Sequence, residues 1–96
     1  MFVVSVKYIV PLEEVDRHLS AHVEFLNKNY EKGIFLVSGR KVPRTGGVII
    51  ARVGSKQELE RVLSEDPFNR AGVAEYDITE FVASLTAKEL TSMKEA

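Results

Sequence analysis

The chain opens on alternation. Over residues 2–10, Phe2, Val4, Val6, Tyr8 and Val10 fall on one side of an extended backbone, and Val3, Ser5, Lys7 and Ile9 on the other. β-Branched and aromatic residues dominate, and Pro11 ends the run. This predicts a first strand with one wholly apolar face and one mixed face. The period then becomes helical. Val15, Leu19, Val23, Leu26 and Tyr30 recur at i, i+4, i+8, i+11 and i+15. They predict a helix from Leu12 or Glu13 to Lys32. Glu13, Glu14 and Asp16 stand in its first turn and Lys28 and Lys32 near its end, as the helix dipole favours, and Gly33 is a suitable left-handed terminator.

Two further strands, over residues 34–39 and 47–53, are apolar on both faces, which a half-solvated sheet does not need. The segment RKVPRTG between them is basic and turn-rich and predicts a hairpin, with the Gly46-Gly47 pair in its turn. Ser55 and Glu58 form a capping box that opens a second helix, which runs to Glu65. Asp66 precedes a proline, which drives it out of the α region and ends that helix. Residues 69–72 read as a single helical turn and residues 74–81 as a fourth strand. Thr86 and Glu89 repeat the capping-box pattern and predict a short C-terminal helix or arm over residues 86–96.

The order β-α-β-β-α-β predicts an α+β fold of the ferredoxin-like kind: an antiparallel four-stranded sheet with two helices on one face, as one domain over residues 1–96. The other face stays open, although three of its strands are apolar there. Such a face measures on the order of 350 Å², a size that marks interaction sites. Burying it on two copies gains roughly 10–20 kcal/mol gross against an association cost of about 4–15 kcal/mol. A homodimer through the open sheet face is the expectation.

Composition narrows the partners. The 96 residues carry 13 Lys+Arg against 14 Asp+Glu, a net charge of -1, with no basic cluster interleaved with aromatics. Nucleic acid is therefore excluded as an expected partner. There is no cysteine, which removes disulfides, thiolate nucleophiles and thiolate metal sites together. The longest apolar runs, residues 1–4 and 47–51, are far too short to span a bilayer, and the N-terminus has no signal-peptide pattern. No membrane association is expected, and the location expected is cytoplasmic.

His22 lies within the helix's apolar stripe and is the chain's clearest candidate for chemistry. A carboxylate bonded to one imidazole nitrogen fixes the tautomer and makes the other nitrogen a better proton acceptor. The plainer alternative is a core histidine bonded to a backbone carbonyl. His18, four residues earlier, could share a helical face with it, but H-x-x-x-H lacks the glutamate of H-E-x-x-H and no third ligand is evident. No metal site and no cofactor are expected. Asp66 either orients and charge-stabilises His22, acts as the acid/base itself, or is a plain turn aspartate before proline. Ser38 has no G-x-S-x-G around it, which argues against a covalent mechanism and leaves a strand-end hydroxyl, a ligand contact or a bond to His22. Arg40 and Arg44 have the fork that binds a carboxylate; Arg44 reads better as a solvated loop residue, and Arg40 reads either way. Tyr8 reads better as packing than as pocket lining. Gly46-Gly47 lacks the context of a phosphate cradle.

Three segments together resemble the YciI-like (YCII-related) family: Ala21-His22-Val23-Glu24-Phe25-Leu26, the run from Gly33 to Gly39, and Asp66-Pro67-Phe68-Asn69-Arg70-Ala71-Gly72. The strand from Tyr76 to Phe81 fits as well. The resemblance implies a ferredoxin-like fold dimerised as an α+β barrel. It implies an active-site pair of His22 and Asp66, with Ser38 beside the same cleft. It also implies a small-molecule ligand and, from relatives linked to dehalogenation or lyase chemistry on small ring compounds, a cofactor-free enzyme of lyase or isomerase type. The alternative is a dimeric ligand-binding or accessory module without catalysis. Arg40 departs from the family pattern, where proline commonly follows the glycine. Substrate identity is accordingly the least transferable property.

Overall fold

A computed structural model describes residues 1–95. Four strands form one antiparallel sheet in the order β2-β3-β1-β4: β1 (Phe2–Tyr8), β2 (Phe35–Arg40), β3 (Gly46–Ala51) and β4 (Ala74–Glu80). Two helical connections join them and pack on one face. The first is α1 (Leu12–Asp16) with α2 (Leu19–Glu31); the second is α3 (Lys56–Leu63) with the short α4 (Pro67–Arg70). This is the ferredoxin-like arrangement that the element order predicts. No helix among the described residues is long and apolar enough to cross a membrane.

The register explains the two faces. Val4 pairs with Ile49 and Ile78, and Phe2 with Ala51 and Glu80. Phe2, Val4, Val6, Phe35, Ile49 and Ala51 thus point together under the helices, where Val15, Phe25, Leu59, Leu63 and Phe68 close the core over them. The open face carries Val3, Ser5 and Lys7 of β1, paired with Ile50, Val48 and Gly46 on one side and with Thr79, Asp77 and Glu75 on the other. A register shift between Phe35 and Val37 marks a bulge in β2.

Two expectations need correction. The long first helix is broken: α1 stops at Asp16, and His18, at φ -109 and ψ 2, caps a separate α2. The single stripe therefore splits. Val15 is buried in the core, but α2 buries Phe25 and Asn29, while Leu19 and Val23 stay partly exposed. The second correction concerns Gly46 and Gly47. They lie inside β3, not in the hairpin turn. A Cβ on Gly46 would fall 1.8 Å from the Val6 carbonyl oxygen, so the pair lets two backbones close together. The turn itself is residues 41–45 and holds a cis Val42–Pro43 bond.

Beyond β4 the chain folds back on itself at one end of the sheet, where the Phe81 N–H donates to the Met1 carbonyl and the Met1 amino group donates to Glu95 Oε2 at 2.9 Å. Its C-terminal part forms a 3-10 helix, Lys88–Met93, held by a bond from Arg52 Nη2 to the Ser92 carbonyl at 2.9 Å. The last residue of the arm expected over residues 86–96 lies outside the described residues.

Candidate active site

The site begins with the local consequence of Asp66-Pro67. Proline restricts Asp66 to an extended conformation (φ -64, ψ 125) and takes the first helical position itself. Asp66 becomes the N-cap of α4, and its Oδ1 accepts the Phe68 backbone N–H at 3.0 Å. The same turn places the Phe68 ring in the core below α2.

His22 meets both residues. Its Nδ1 stands 2.7 Å from Asp66 Oδ1, and its ring stacks on Phe68 at 3.8 Å with an interplanar angle of 7°. One motif therefore grips the imidazole by an edge and by a face. Tyr76, reaching from β4, donates its hydroxyl to Asp66 Oδ2 at 2.7 Å. Asp66 is 0% exposed and accepts from three donors. A buried carboxylate is costly unless so satisfied. With Asp66 ionised, it accepts only, so His22 carries its proton on Nδ1 and turns a lone pair outward on Nε2. No partner for Nε2 occurs among the described residues. Burial, then the bond to Asp66, drives the Tyr76 phenol far above its ordinary range, so it stays a donor.

His22 lines a cleft of about 350 Å³ between α2 and the sheet. That volume suits a single small ring. Leu19, Val23 and Leu26 form its helical wall, which accounts for their incomplete burial. Val6, Ile49 and Gly47 form the sheet side; a Cβ on Gly47 would stand 3.0 Å from the Gly39 carbonyl oxygen, so the missing side chain lets the β2 and β3 backbones lie close there. Ser38, Arg40 and Arg44 supply the remaining polar lining. The Ser38 hydroxyl is hydrogen-bonded to the Tyr30 hydroxyl.

All four sequence candidates, His22, Asp66, Ser38 and Arg40, thus gather around one cleft: His22, Ser38 and Arg40 line it, and Asp66 stands directly behind His22. Four residues were missed or read differently. Tyr8 lines the cleft as well as packing edge-on to Phe68 at 5.8 Å. Arg44 is no free loop residue: it bonds Asp16 Oδ1 at 2.6 Å and lies 5.9 Å over the Tyr8 ring. Tyr30 shows in the sequence only as part of the helical stripe, yet its hydroxyl bonds Ser38 beside the cleft. Tyr76 carried no sequence signal beyond its place on a strand, because its bond to Asp66 depends on β4 pairing beside β1. Among the described residues, no group of three or more His, Cys, Asp or Glu side chains could hold a metal ion.

The pattern of the YCII-related domain matches residues 1–82. The chain belongs to the YCII-related family. No curated protein matches the chain. Among solved structures it is similar to the 5-chloro-2-hydroxyhydroquinone dehydrochlorinase TftG from Burkholderia phenoliruptrix AC1100, in complex with 2,5-dihydroxybenzoquinone. The TM-score is 0.70 over 84% of this chain and 93% of that chain, at 20% identity. At that identity the likeness to TftG is one of fold. Membership of the YCII-related family agrees with the motifs around His22 and Asp66, and the match ends before the C-terminal arm.

Proposed function

We propose that the cleft is the active site of a small-molecule enzyme of lyase or isomerase type, acting on a small anionic ring or carbonyl compound. One observation carries this reading. A histidine in the wall of an apolar cleft has Nδ1 committed to a buried, fully bonded carboxylate, while Nε2 is left without a partner. That is the arrangement of a general base. His22 Nε2 takes a proton from the substrate, and the electron pair so released forms a new double bond. In an elimination the leaving group departs as an anion; in an isomerisation the same nitrogen returns the proton to another carbon. Asp66 faces the imidazolium that forms and balances its charge within a dry wall. Arg40 holds the substrate's anionic group at the other side of the cleft, and Ser38, oriented by Tyr30, bonds a ring oxygen.

The fold of TftG supports this reading, since that protein is named as a dehydrochlorinase and holds a small quinone. The same reading includes a homodimer through the open sheet face. The test is turnover of a panel of hydroxylated and halogenated ring anions, followed by halide release and by hydrogen exchange in D2O. His22→Ala lowers kcat on any active compound by about 100-fold or more. A loss of only a few-fold contradicts the acid/base role. Binding without any turnover marks the cleft instead as that of a ligand-binding module.

A further inference from the structure

Two arginines line the cleft, and they differ in one respect. Arg40, at the end of β2, is in no ion pair among the described residues, whereas Arg44 is engaged by Asp16 at 2.6 Å. Asp16 does not itself line the cleft. It is the last residue of α1, at the corner where the first helix breaks, and from there it reaches the hairpin loop that carries Arg44. The guanidinium is held over the Tyr8 ring, which also lines the cleft. The mouth thus holds one uncompensated cation and one compensated cation.

We infer that Asp16 is a specificity-determining residue: by neutralising Arg44 it makes the cleft select singly charged ring anions over doubly charged ones. This rests on the reading of the cleft as a site for anionic ring compounds. The first carboxylate of a ligand pairs with Arg40. A second carboxylate meets an Arg44 guanidinium whose Nη2 already donates to Asp16, and has to compete with Asp16 for bidentate recognition. Both members of the pair are solvent-accessible, at 32% and 51% for Arg44 and Asp16, so the competition is graded, not absolute. Selection of this kind works by withholding a partner from the wrong ligand.

The test uses benzoate and isophthalate as probes of one and two charges, with calorimetry at about 0.15 M salt to limit the general field. The His22 imidazole is followed by NMR in the same samples. Wild type binds isophthalate no better than benzoate. Asp16→Asn raises isophthalate affinity roughly 10-fold and moves benzoate by less than about two-fold. On an Arg44→Gln background the same Asp16→Asn change leaves the ratio of the two affinities unmoved. No gain, an equal gain for both probes, or a gain that persists without Arg44 overturns the inference. If benzoate binds and shifts His22 but the ratio fails to change, the inference falls alone. If neither probe binds either protein, the anionic-ligand reading falls with it.

Discussion

Asp66 concentrates the account at the scale of single residues. Its two oxygens cap α4, fix the edge of His22 and accept from Tyr76. Each partner left unsatisfied in so buried a place costs about 1–3 kcal/mol, which is why the carboxylate is bonded on every side. Tyr76 gives this network a pH signature. Burial first, and then the bond to Asp66, raises its pKa above the ordinary value of 10.0. The folded protein therefore keeps a proton that the unfolded chain gives up. The stability this contributes is full below pH about 10 and declines as pH rises above it. Tyr76→Phe removes the part of that alkaline decline due to Tyr76 while costing about 1–3 kcal/mol at neutral pH, because it leaves Asp66 Oδ2 without its donor. Denaturant melts between pH about 8 and 11 check it. Parallel pH profiles for the two proteins would contradict the burial and bonding described for Tyr76.

At the scale of elements, the cleft exists because two local patterns fail to close on each other. The break at Arg17-His18 separates α1 from α2, so α2 turns Phe25 and Asn29 into the core and leaves Leu19, Val23 and Leu26 as a wall. Gly47 faces that wall from the core side of β3 with no side chain. Gly47→Ala sets a methyl group 3.0 Å from the Gly39 carbonyl oxygen, so β2 has to give on the sheet side of the cleft, and benzoate binding weakens by roughly 10-fold. Calorimetry reads the loss, and a thermal melt shows that the sheet persists. Unchanged binding would mean that the ligand does not sit over β3. These elements also show what the sequence makes legible. The strands, the capping box at Ser55 and the Asp66-Pro67 stop follow from local stereochemistry, and they were readable. The helix break was not, because the apolar period runs through residues 15–19 without interruption, and only tertiary packing rotates one part against the other. Nor was the paired state of Arg44, whose partner lies 28 residues away. His22 was visible as an odd residue on a stripe, but its carboxylate came into view only through the family motif.

At the scale of the whole molecule, the open face of the sheet is divided. Val3, Val48 and Ile50 gather toward β3, with Val37 exposed beside them on β2, whereas β4 contributes Glu75, Asp77 and Thr79. An apolar half flanked by a polar half is the make-up of an interface with a core and a rim. The proposed homodimer buries the apolar half on both copies. Sedimentation equilibrium at micromolar concentration gives a dimer, and Ile50→Glu gives a monomer that still folds. A wild-type monomer under those conditions would remove the dimer from the account and leave the cleft intact.

In the proposed function His22 presents a free Nε2 to a ligand in the cleft while Asp66 holds Nδ1. The chain has only 2 histidines, so Nitrogen-15 imidazole spectra are resolved once His18→Gln assigns them. The account predicts the Nδ1–H tautomer for neutral His22, and an Nε2 signal that shifts when benzoate is added. An Nε2–H tautomer, or an Nε2 signal that stays fixed while benzoate binds, would contradict it.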